Sequence, residues 1–118
     1  MDENSQKPES TNGNPIEIRL ALVEWDYDET YAKNETIEVV FSGNDLAEAT
    51  KVFDSLQVPA EKQMVHLGRC YVTLELMANG KWMKTIDLIK KGFYTEAIEC
   101  FNRSLPIVRE LIKNSKEI

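Results

Sequence analysis

The sequence predicts an α+β domain of order β-β-α-β-β-α, with a four-stranded antiparallel sheet and two helices on one face. Three observations predict it. Apolar residues alternate with polar ones in two separate regions, the period of strands. An Asn79-Gly80 pair sits between two such runs, and type I′ turns favour that pair because both turn positions need positive φ. Each hairpin is followed by a stripe of apolar residues at helical spacing. With 118 residues the chain fits one domain of ordinary size, able to fold without disulfides or a structural metal.

Residues 1–15 are rich in Ser, Asn, Glu, Pro and Gly. They hold too little apolar surface to offset ordering entropy and are expected to form a disordered tail, with the single domain spanning 16–118. From Ile16, the residues Ile16, Ile18, Leu20 and Leu22 alternate with Glu17, Arg19, Ala21 and Val23. Ile37, Val39 and Phe41 alternate again, which predicts a hairpin with a loop over Asp28–Glu35 and a bulge.

Ser42-Gly43-Asn44 breaks the strand, and Asp45 precedes Glu48 by three residues, the spacing of a helix-starting capping box. Leu46, Ala49, Phe53 and Leu56 then share a helix face, with Pro59 expected to close it. In Met64–Lys91, Cys70, Val72, Leu74 and Leu76 alternate with Arg69, Tyr71, Thr73 and Glu75. Folding at Asn79-Gly80 sets Met77 beside Trp82 and Glu75 opposite Lys84. Met64, Leu67, Tyr71, Leu74 and Met77 also fit a helix stripe, so a helical second half is the alternative. The β-rich Tyr-Val-Thr and the turn favour two strands. Tyr94, Ala97, Ile98, Phe101, Leu105, Val108 and Ile112 trace the last helix. Pro106 predicts either a kink near Ser104 or two helices end to end.

The net charge is −6, divided as −9 over residues 1–60 and +3 over 61–118. An acidic chain without an aromatic-studded basic sheet is not expected to bind nucleic acid. The absence of a long apolar run argues against a membrane span. Cys70 and Cys100 belong to no metal-binding spacing, and His66 is the sole histidine, so no metal or cofactor is expected. His66 and Cys70 would share a face on a helix but lie about 13 Å apart on a strand. The first residues hold no apolar signal stretch, which reads as a reducing, cytoplasmic setting.

Asp26-Tyr27-Asp28-Glu29-Thr30 follows an apolar strand and resembles the first motif of haloacid-dehalogenase-like phosphatases. The resemblance implies Asp26 as nucleophile and Asp28 as acid/base, with Mg²⁺ neutralising the phosphate. It covers about a tenth of the chain. The family's parallel sheet, downstream Ser/Thr strand end, lysine and distal Asp pair have no counterpart in the pattern. Gly92–Phe101 with Leu105 resembles the second helix of a tetratricopeptide repeat, and Leu67-Gly68-x-x-Tyr71 echoes the first. The resemblance implies a hairpin followed by a tetratricopeptide-like C-terminal half. No 34-residue period supports stacked repeats.

No catalytic constellation emerges, and the chain reads as a binding domain rather than an enzyme. The candidate contact residues are Trp25, Asp26, Tyr27, Asp28 and Tyr31 on the first hairpin and Lys81, Trp82 and Lys84 on the second. Trp and Tyr bury much area for few lost rotamers, which makes them interface anchors. The expected partner is another protein or a second copy of the chain. The acidic half supports an alternative, an inhibitor that mimics nucleic acid. The structural explanation of the first-hairpin residues is a hairpin end whose carboxylates point to water and whose aromatics pack across strands.

Overall fold

The computed structural model describes residues 15–59 and 68–116. Its elements are β1 (Ile16–Trp25), β2 (Ala32–Gly43), α1 (Leu46–Asp54), β3 (Cys70–Ala78), β4 (Lys81–Gly92) and α2 (Tyr94–Lys116). The four strands form one antiparallel sheet in the order β2-β1-β3-β4. This is the β-β-α-β-β-α fold expected from the sequence. Of the Leu67-Gly68-x-x-Tyr71 echo of a tetratricopeptide first helix, Cys70 and Tyr71 lie on β3, Gly68 and Arg69 precede it, and Leu67 lies outside the described residues. The hairpins β1–β2 and β3–β4 are local, whereas the β1–β3 ladder joins residues some fifty positions apart.

One face of the sheet carries the core. Ile16, Ile18, Leu20 and Leu22 of β1 pair across the strands with Ala78, Leu76, Leu74 and Val72 of β3, and all are buried. Ala49, Val52 and Phe53 of α1 and Ala97, Cys100, Phe101, Val108 and Ile112 of α2 close over them. Complete burial of each large aliphatic side chain contributes about 1.5–3 kcal/mol.

Local chemistry sets the boundaries. The Asp45 carboxylate accepts hydrogen bonds from the amides of Ala47 and Glu48, capping α1 as expected. The helix ends at Asp54, before Pro59, because the Ser55 amide turns back onto the carbonyls of Lys51 and Val52. Asn79 and Gly80 both adopt positive φ, 53° and 81°, so the β3–β4 turn has the conformation this pair favours. α2 is one 23-residue helix with Pro106 inside it, not two. The Phe93 amide donates to Glu96 at its start.

Bulges make the main departures from expectation. The first hairpin loop covers only residues 26–31, and β2 begins at Ala32 rather than after Glu35. Ile18 pairs with Phe41 but Arg19 pairs with Val39, leaving Val40 as an extra residue. Because side chains alternate faces, one inserted residue reverses the parity of everything beyond it. Phe41 therefore points into the core, while Val39 and Ile37 stand beside Arg19 and Ala21 on the opposite face. A second irregularity between Leu76 and Met77 displaces the β4 register. Met77 does pair with Trp82, but Glu75 lies opposite Thr85, and Lys84 lies opposite Leu76.

Candidate interaction surface

No described element covers the second face of the sheet. The strand registers assign its side chains in rows. Ser42, Glu17, Met77 and Trp82 form one row; Val39, Arg19, Glu75 and Thr85 form the next. Ile37, Ala21, Thr73 and Asp87 follow, then Glu35, Val23 and Tyr71. Ile37 (37%), Val39 (47%) and Trp82 (64%) are exposed. An antiparallel sheet with one wet face ordinarily alternates apolar inside with polar outside. This wet face instead carries aliphatic and aromatic side chains on both edge strands.

Its centre is ionic. Arg19 Nε lies 2.8 Å from Glu75 Oε1, and the other Glu75 oxygen accepts a 3.0 Å hydrogen bond from Thr73 Oγ1. Both carboxylate oxygens are thus engaged, and Glu75 is only 8% exposed although no helix lies above it. Tyr71, further along β3, has its phenol pKa pushed up by burial and by the charges of Glu29 and Asp87.

The residues proposed from sequence do not converge on one site. Trp25, Asp26, Tyr27, Asp28 and Tyr31 lie at the end of the sheet where β1 leads into β2. Lys81, Trp82 and Lys84 lie toward the opposite end, beside the β3–β4 turn. Within the second group the faces differ as well. Trp82 stands on the open face beside Met77, whereas Lys84 stands on the helix side and pairs with Asp54 at 2.7 Å. That ion pair borders a shallow groove of about 480 Å³ lined by Phe53, Leu56, Thr85 and Ile86.

In the hairpin loop, Asp26 has a structural task. One carboxylate oxygen accepts from the amides of Thr30 (2.6 Å) and Tyr31 (3.1 Å), and the other accepts from Thr30 Oγ1 (2.8 Å). Desolvation is the largest single influence and raises its pKa, but these hydrogen bonds together outweigh it and hold the group below its ordinary value. The Asp and Thr of the phosphatase-like string therefore staple a loop to itself, on a sheet that is wholly antiparallel. Asp28 is exposed. Tyr27 and Tyr31 are exposed too, with the Arg69 guanidinium 5.6 Å from the Tyr27 ring centroid. Phe93 and Tyr94, also exposed, lie at this same end because β4 finishes there, opposite Cys70.

Other candidates take structural places. Cys70 and Cys100 are buried free thiols, and His66 lies outside the described residues. Among the described residues, no group of three or more His, Cys, Asp or Glu is placed to hold a metal ion, and no helix is long and apolar enough to cross a membrane. Several carboxylates of the acidic half have partners within the fold: Glu38 meets Arg109 of α2, Asp54 meets Lys84, and Asp45 caps α1.

The chain matches no protein-family model, no curated protein and no solved structure. The surface must therefore be read from its own chemistry. Sequence patterning missed its main residues: the alternation of Ile37, Val39 and Phe41 carries no sign of the bulge that separates their faces, and Arg19 and Glu75 lie 56 positions apart. The one signal that pointed here was the Met77–Trp82 pairing across the Asn-Gly turn.

Proposed function

We propose that the chain is a protein-binding domain whose contact surface is the uncovered face of its sheet. The observation that carries this reading is the exposure of Ile37, Val39 and Trp82 on that face, around a desolvated Arg19–Glu75 pair. Exposed apolar side chains gathered on one face of a domain mark an interaction site, and here they flank the Arg19–Glu75 pair on the two edge strands. Tyr27 and Tyr31, exposed in the loop at the other end of the sheet from Trp82, are a separate aromatic pair outside this surface.

A photo-crosslinking side chain placed at Val39 tests the reading against the same group at Lys113, which is exposed on α2. Irradiation in the producing cell is expected to give a discrete polypeptide adduct from position 39 and none from 113. An absence of adducts at 39, or the same adducts from both positions, overturns it.

A further inference from the structure

We propose that the occupant of this face is a second copy of the chain, stacked sheet to sheet about a two-fold axis that runs along the strands between β1 and β3. The proposal rests on the reading above and names its partner.

The first argument is charge self-complementarity. Arg19 and Glu75 occupy the same row on the two central strands. A two-fold axis along the strands and midway between β1 and β3 exchanges those strands while preserving rows. It therefore sets each Arg19 over the partner's Glu75, and two internal ion pairs become a square of alternating charge. The same operation places Ala21 against the partner's Thr73, two small side chains that let the sheets approach. It also places Val23 against the partner's Tyr71 and Glu17 against the partner's Met77, and on the edge strands it sets Val39 against the partner's Thr85, Trp82 against the partner's Ser42 and Ile37 against the partner's Asp87.

The second argument is area. Four strands about 4.8 Å apart and some nine residues long present roughly 19 by 30 Å, nearly 600 Å² in projection before side-chain relief. That is on the scale of the roughly 800 Å² per partner buried in stable interfaces. Twisted antiparallel sheets stack well face to face, with strand directions within about 30° of each other. An isologous contact of this kind closes on itself as a dimer, leaving no open face to propagate a fibre.

The test uses the purified full chain and two charge reversals. Sedimentation at about 100 μM, where a micromolar contact is nearly saturated, is expected to give twice the 13.5 kDa chain mass. Arg19→Glu and Glu75→Arg, each alone, set like charges in the square and are expected to run as monomers. Mixed in equal amounts they are expected to recover the dimer mass, because each supplies what the other lacks. Val39→Lys changes only an exposed position and should also give a folded monomer by circular dichroism, which keeps the test decisive if the reversals fail to fold. A wild-type monomer, a dimeric Val39→Lys, or folded reversal variants that do not pair on mixing overturns the proposal. A wild-type monomer whose position-39 crosslinker captures a different polypeptide overturns only the self-pairing and leaves the binding function standing.

Discussion

Arg19 and Glu75, 56 positions apart in sequence, are joined by a 2.8 Å ion pair on the side of the sheet that neither helix covers. The pair ties β1 to β3 side chain to side chain, along the one ladder that connects the two hairpins. Its side chains are largely withdrawn from water, so removing one charge strands the other.

Arg19→Met and Glu75→Met are each expected to lower unfolding free energy by about 1–3 kcal/mol, below the cost at a fully buried pair because water still reaches the edge. The double variant is expected to lose less than the sum of the singles, since apolar groups of similar size replace both charges. Urea denaturation of the four proteins checks the cycle, and strict additivity would contradict the coupling.

The Asp26 staple makes a pH prediction. Its folded-state pKa is depressed, so the contribution is complete above the ordinary value of 3.8 and disappears as pH falls through the lower folded value. The amide resonances of Thr30 and Tyr31 are expected to stay constant from neutral pH down to about 5 and to move together only below 3.8. In Asp26→Ala both amides should exchange with solvent faster at neutral pH, with the sheet amides unaffected.

Burial raises the thiol pKa of Cys70, reinforced by the Glu24 charge and opposed by Arg69. Burial also raises that of Cys100, opposed by its contact with Ser104. The thiolate is the reactive form. Neither cysteine should react with a thiol reagent at pH 8 in the native protein, and both should react on unfolding; rapid native labelling of either would contradict the packing described.

Gly68 and Gly92 touch where β3 begins and β4 ends. A Cβ on Gly68 would lie 2.1 Å from the Gly92 carbonyl oxygen, a backbone atom that can move only by parting the strands. Gly68→Ala is expected to cost about 2 kcal/mol or more. Gly43→Ala, whose Cβ meets only the Phe41 ring at 3.6 Å, is expected to stay within about 0.5 kcal/mol. Paired thermal melts separate the two.

The elements legible in the sequence were those written in local chemistry. Alternation in Ile16–Val23 and Cys70–Leu76, the Asn79-Gly80 turn and the Asp45 cap each act within a few residues, and all four appear where the pattern put them. What escaped was set by backbone accommodation. Val40 can be absorbed as a bulge only if its neighbours fit, and that choice turned Ile37 and Val39 outward. The bulge in β4 likewise moved Lys84 to the helix side and left Glu75 to Arg19. The candidate surface depends on both bulges and on one contact across the whole chain, so no window of sequence contains it.

The arrangement of ladders also has a consequence for how the chain assembles in time. β1 and β2 close over a six-residue loop and β3 and β4 over two residues, connections short enough to form on the microsecond scale of hairpins. The β1–β3 seam closes a far longer loop, and that entropy must be met before its contacts repay it. The two ββα halves are therefore expected to take shape separately and to lock together last. Mutations along Leu20–Leu74 and Leu22–Val72 should slow folding in proportion to how much of that seam exists at the barrier.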